Sequence, residues 1–182
     1  MFKRAILSTI LGGIIFFVWG YVSWMVLPYY GQATKKFANE TEMAAEFAQN
    51  ATGDGVYMIP HCSSDTEKGA HLPVLFAAYK SQFDMHSSKP YICAAITQLC
   101  IALFTTLLLL MVRPFGYFLR LCFVTFTGFV IYFATMVPSM IWMGFSSQYG
   151  ITMIVMNTIG FFLAGLVIAG LINTKKCGSG CA

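Results

Sequence analysis

The residues of this chain best suited to chemistry are its three histidines and six cysteines. His61, Cys62 and His71 sit close together and offer two imidazoles and a thiol, a donor set that zinc and copper favour. Their spacing matches no closed structural-zinc pattern, and no fourth ligand stands nearby. The expectation is therefore a chain without metal or other cofactor, with these three the candidates if one is held. Cys62 and Cys93 could form a disulfide in an oxidising compartment. Cys177 and Cys181 flank a Gly-Ser-Gly in the tail "KKCGSGCA". That is not the C-x-x-C of oxidoreductases, which leaves either soft-metal binding and thiol exchange or a dispensable tail. Cys100 and Cys122 read as small apolar residues.

No nucleophile–base pair, glycine-rich phosphate loop or paired-carboxylate signature accompanies them. Glu42 and Glu46 are one helical turn apart, on what reads as a solvated face. The chain is more readily a binding or assembly protein than an enzyme.

The elements that must position these residues are dictated by composition. Only 10% of the 182 residues are charged while 58% are hydrophobic, far from the roughly 25% charged residues of a soluble domain. Four apolar runs, Ala5–Leu27, Tyr91–Val112, Tyr117–Val137 and Ile151–Ile172, contain a single charge, Arg120. Each is long enough for the ~20 helical residues that cross a hydrocarbon core. Arg120 lies three residues into its run, where a long side chain can reach back to the interface. The first run, preceded by Lys3 and Arg4, exceeds the core of a signal peptide and lacks a cleavage pattern, so it reads as an uncleaved anchor.

Orientation follows from charge. All seven acids, Glu40 to Asp84, fall between residues 28 and 89, whereas the other hydrophilic pieces hold Lys3, Arg4, Arg113, Lys175 and Lys176. Short Lys/Arg-rich loops stay in the cytoplasm. The net charge of +4 thus reports topology, and no nucleic-acid partner is expected. The predicted fold class is mainly α: a polytopic membrane protein of four transmembrane helices with a small α+β extracytoplasmic cap between helices 1 and 2. Residues 1–27 form the cytoplasmic N-terminus and first helix, 28–89 the cap, 90–172 helices 2–4, and 173–182 a cytoplasmic tail.

Within the cap, 34–50 reads as an amphipathic helix with Thr34 as N-cap, and 56–60 and 72–80 as short strands. The piece 138–150 is rich in Met and aromatics and is expected along the membrane surface. The sequons at Asn39 and Asn50 matter only in a glycosylating host.

Inside the spans the polar residues are Gln98, Asn157 and scattered Ser and Thr, including Thr97, Thr105, Thr106, Thr125 and Thr127, which could bond between helices. No Asp, Glu, Lys or His is near a midplane, which argues against a proton-driven transporter. Gly12, paired with Ser8, and Gly160, Ala164, Gly165 and Ala169 mark faces where backbones can approach closely, within the bundle or across a dimer. Trp19, Trp24, Tyr29, Tyr57 and Trp142 are candidates for a pocket or a packed junction beneath the cap. Trp19 lies some 13 Å below Pro28 on helical rise, too deep for an interfacial belt.

Taken together, "FVWGYVSWMVLPYY" (17–30), "GDGVYMIP" (53–60), "FAAYK" (76–80) and "IGFFLAGLVIAGLI" (159–172) resemble a group of small bacterial inner-membrane proteins of unassigned function. Members have Trp-His after the proline where this chain has Tyr29-Tyr30. The resemblance implies a bacterial inner-membrane location, both termini cytoplasmic and the cap periplasmic, and brings no site residue with it. The leading expectation is a non-enzymatic assembly, accessory or interaction subunit whose partners are the lipid bilayer and another protein or a second copy of the chain. The alternative is a small-molecule or lipid-binding membrane protein, permease or enzyme, with an aromatic pocket under the cap.

Overall fold

The structure, a computed structural model, describes residues 2–60, 73–82, 84, 87–112 and 116–172. His61, Cys62, His71, His86, Arg113 and the tail lie outside the described residues, and the metal, disulfide and tail-thiol expectations lie there with them. Among the described residues the chain is mainly helical. Helix α1 (Phe2–Tyr21) runs into a π turn (Val22–Val26). Short α2 (Tyr29–Ala33), α3 (Glu40–Asn50) and strands β1 (Gly55–Ile59) and β2 (Leu75–Tyr79) follow. Three long helices complete it, α4 (Lys89–Met111), α5 (Tyr117–Trp142) and α6 (Ser147–Leu171). Phe2–Val26, α4, α5 and α6 are each long and apolar enough to cross a membrane.

The start and stop signals are local. Pro28 has no amide hydrogen and disfavours helix at the residue before it; Leu27 is extended (φ −83°, ψ 139°), and the chain restarts as α2. Thr34 does not cap a following helix. It closes α2, its Oγ1 donating to the carbonyl of Tyr30 at 3.1 Å. The cap of α3 is Asn39, whose side chain accepts from the Glu42 amide, five residues beyond the Thr34 cap that the sequence pattern suggests. Helix α5 runs through Pro138 to Trp142, leaving only a short turn before α6. A proline removes one N–H and crowds the carbonyl four residues back, and here the helix continues past it. Ser139 Oγ donates to the Thr135 carbonyl at 2.8 Å beside it.

The two strands pair antiparallel, with Tyr57 opposite Ala77. Asp54 holds the open end by accepting from the Ser81 amide (2.8 Å) and hydroxyl (2.7 Å). Those two bonds, the amide first, hold its carboxyl below the usual range, so the clasp loosens as pH falls through that lowered value. The hairpin touches the α5–α6 turn, where the Phe76 and Phe145 rings meet edge-on at 5.8 Å. Gly144 in that turn takes a left-handed φ of 71°, and a Cβ there would lie 3.0 Å from Val74.

The long helices are ordered α4–α1–α6–α5: α1 packs on both α4 and α6, α6 also packs on α5, and α4 barely meets α5. Small residues set these contacts. A Cβ on Gly12 would come within 2.8 Å of Ile168, and one on Gly13 within 2.6 Å of Leu99. Gly165 receives Leu121 and Val124 of α5, while Gly128 of α5 lies directly under the Phe161 ring of α6. Ala164 and Ala169 are fully buried, and Phe16, Ala102, Val124, Phe161, Ala164 and Ile168 form the centre of the core.

Two polar expectations are corrected. The hydroxyls of Thr97, Thr105, Thr125 and Thr127 bond the carbonyl four residues back in their own helices. Of the named threonines only Thr106 crosses helices, to Ser8 at 3.5 Å. Arg120 does not extend to the surface. It is 7% exposed, and its Nη1 donates to the Ile172 carbonyl at the end of α6, where terminal carbonyls lack partners and a cation is favourable.

Gly128→Ala should destabilise the bundle by roughly 1–3 kcal/mol, since the added methyl overlaps the buried Phe161 ring. Gly20→Ala, whose Cβ finds only Gln98 Nε2 at 4.0 Å, should be neutral or stabilising by up to ~1 kcal/mol. Thermal unfolding in detergent separates them; equal midpoints would show that the ring does not constrain Gly128.

Candidate functional site

In an apolar bundle, a polar side chain that cannot reach its own backbone must find a partner across the helices or keep its capacity free. Ser and Thr reach their own backbone easily. A carboxamide has two donors and an acceptor, more than one backbone carbonyl can satisfy. The four apolar runs contain just two carboxamides, Gln98 and Asn157, and the fold brings them to the same place. Gln98 is in the N-terminal half of α4 and Asn157 in the N-terminal half of α6, and α1 passes between these helices with Gly20 facing them.

A groove of about 270 Å³, open on one side, lies between α1 and α4, lined by Phe17, Gly20, Trp24, Tyr91, Gln98 and Asn157 among others. Gly20, Gln98 and Asn157 also line a second, deeper chamber of about 30 Å³, walled by Phe16, Trp19, Tyr132 and Phe161. Gly20, Gln98 and Asn157 border both spaces, so the two adjoin there, at a neck where Gly20 presents no side chain. Asn157 Nδ2 donates to the Met153 carbonyl at 2.8 Å and, at 3.5 Å, to the Tyr30 hydroxyl. Its carbonyl oxygen and the whole Gln98 carboxamide have no hydrogen-bond partner among the described residues.

The aromatic wall follows from the π turn. The extra residue it inserts re-aims the side chains beyond it, and π turns of this kind cluster at functional sites. Within the turn Ser23 Oγ donates to the Gly20 carbonyl at 3.1 Å. Trp24 then stacks on Tyr30, ring centroids 4.1 Å apart and planes 9° from parallel, and Tyr30 is 3% exposed. Burial, then the neighbouring Tyr132 and Tyr149, push the Tyr30 hydroxyl up to about 12 from its usual 10.0, with the Asn157 bond acting the other way. Trp19 lies over Gly160, whose Cβ would stand 2.8 Å from the indole, and its Nε1 donates to the Met156 carbonyl at 2.7 Å. The deep tryptophan therefore has one face on a packed helix and an edge on the inner chamber.

Of the aromatics named from sequence, Trp19 and Trp24 line these cavities. Tyr29 is half exposed on α2, Trp142 is exposed at the end of α5, and Tyr57 is on the hairpin, its hydroxyl donating to the Gly53 carbonyl at 2.6 Å. Gly20 as neck, and Tyr91 as a wall, do not stand out from sequence reasoning. The signal that points here is the pair of carboxamides. A larger groove of about 380 Å³ lies between the N-terminal half of α1 and the C-terminal half of α4, among Ile6, Thr9, Ile10, Leu103, Thr106 and Leu107. Its polar groups are two threonine hydroxyls, so size alone does not make it the better site. No family model matches the chain, and no curated protein and no solved structure matches it either.

Tyr30 sets a pH limit. An unfolded tyrosine ionises near pH 10, the folded one at about 12. Stability is whole below about pH 10 and falls as pH rises through that window, because the unfolded chain gives up its proton first. Unfolding midpoints between about pH 9 and 12 should fall more steeply for the native chain than for Tyr30→Phe; parallel profiles would remove Tyr30 from that role.

Proposed function

We propose that this chain is a multi-pass protein of the bacterial inner membrane that binds a lipid-like small molecule in the pocket between α1, α4 and α6. Its termini are on the cytoplasmic side and the hairpin segment is periplasmic. The distribution of charge supports this orientation, since every acid falls between residues 28 and 89 and Lys3 and Arg4 precede the first apolar run. Membrane residence is supported by the exposed faces of the long helices, which carry side chains such as Ile14, Val18, Leu103, Phe104, Phe118 and Phe126. Water-soluble surfaces rarely tolerate apolar patches so continuous.

The observation that carries the binding reading is the convergence of two carboxamides from different helices on one mostly apolar cavity. Ligand sites have this composition: apolar and aromatic walls with a few converging polar groups. Both carboxamides are only partly buried, so their free donors and acceptors stay accessible to a ligand entering from the open side. A second reading, an interaction subunit, is supported by Phe126, Phe129 and Phe133, exposed in a row on α5 with neighbouring rings 6.1 and 5.5 Å apart. Cross-linking in intact membranes tests it: a neighbour captured at this face supports a subunit role, and a lone monomer across several mild detergents opposes it.

The binding reading predicts that native protein, extracted gently and washed into detergent, retains a lipid-like molecule detectable by mass spectrometry. Gly20→Leu, which fills the neck without meeting backbone, should lose it, while Gly31→Ala, facing open space, should keep it. Equal content in native protein and Gly20→Leu would end this reading.

A further inference from the structure

The polar end of the pocket has a definite chemical character. Its hydrogen-bonding side chains include Gln98, Asn157 and Tyr132, with Tyr21, Ser23 and Tyr91 further along the outer space, and no Asp, Glu, Lys, Arg or His is among the described residues lining either chamber. A carboxamide meets a neutral hydroxyl or carbonyl well, since it both donates and accepts. It cannot neutralise an anion. Moving a carboxylate, sulfate or phosphate into such surroundings strips its hydration at a large cost, and no counter-charge is there to offset it.

Shape adds a second constraint. The inner chamber of about 30 Å³ has room for one hydroxyl or a single water. The outer one, about 270 Å³, offers Phe17, Tyr21, Met25 and Ala94 to a chain of methylenes. The nearest charged side chain on α4, Lys89, is at the helix start, nine residues and about 13 Å of rise above Gln98. It reaches the surface groove beside Asp84 and Ser87 rather than the chambers.

We propose, resting on the binding reading above, that this pocket selects a single-chain lipid with an uncharged, hydroxyl- or carbonyl-bearing head. The head hydrogen-bonds Gln98 and Asn157 at the Gly20 neck, and the chain lies in the outer cavity between α1 and α4. Gln98 is the specificity-determining residue, because its carboxamide has every donor and acceptor free and borders both spaces. An anionic lipid held instead by its head at Lys89 is the alternative that the test separates.

The two probes are a long-chain alcohol brominated mid-chain and its sulfate ester, identical except for a permanent charge. Quenching of tryptophan fluorescence is read in full-length Trp142→Phe, which leaves only Trp19 and Trp24, with Trp142→Phe/Gly20→Leu as the baseline for quenching from the micelle. The alcohol should quench above baseline and half-saturate at about tenfold lower concentration than the sulfate. That is the ratio expected for one to two hydrogen bonds at about 1 kcal/mol each. Gln98→Met, which keeps the volume and removes the amide, should bring the two probes together by weakening the alcohol. Sulfate binding as tight as or tighter than the alcohol, or a Gln98→Met variant that retains the preference, would overturn the head-group assignment and leave the pocket standing. Quenching no greater than baseline with both probes would overturn the pocket reading as well.

Discussion

The bundle is organised by how closely α1 approaches its neighbours, and that closeness is not uniform along its length. Over its N-terminal part, Ser8, Gly12 and Gly13 bring the backbone against Thr106, Ile168 and Leu99. Such close van der Waals contact is what holds apolar helices together where no hydrophobic drive exists between them. At Gly20 the same absence of a side chain is met by nothing closer than Gln98. A glycine that tightens the bundle in one place opens it two turns further on. The difference lies in what the partner helix presents: leucine and isoleucine fill the space, whereas a glutamine without a partner does not.

The π turn belongs to the same constraint. Immediately past Gly20 the helix loosens through Val22–Val26 and then stops at Pro28, so Trp24 and Tyr30 can stack across the break. Had α1 stayed regular to Leu27, its outer half would continue the register of the inner half. The stacked pair then buries Tyr30, which reaches Asn157, and Asn157 spends its donors on Met153 and Tyr30. What remains at the cavity is one acceptor from α6 and a complete amide from α4. The polar character of the pocket is therefore a residue of the packing around it.

Much of the fold is legible in the sequence because the bilayer requirement is crude. Length, lack of charge and the flanking Lys and Arg mark four helices without knowledge of any contact. The hairpin strands are nearly as readable from their flanking turns. What composition hides is where a helix ends inside an apolar run. Pro138 reads as a stop, yet α5 continues through it. The π turn is invisible, since Val, Ser, Trp, Met and Val carry no signal for it. Composition suggests threonines that join helices, yet all but Thr106 of those named satisfy themselves, because a hydroxyl beside its own i−4 carbonyl needs no neighbour.

The site is partly legible for a related reason. Small side chains and carboxamides are rare enough in apolar runs to be noticed, so Gln98 and Asn157 stand out by residue type alone. Their meeting does not, because it depends on which face α4 and α6 turn toward α1, and uniformly apolar helices carry no pattern that fixes rotation. Trp19 shows the gap most clearly. From depth alone it must face either a packed helix or a cavity. It does both: the indole lies close enough on Gly160 to donate to Met156, and this places its edge at the inner chamber. A Cβ at Gly160 would stand 2.8 Å from the indole, so one glycine in α6 governs where Trp19 sits at the chamber it lines.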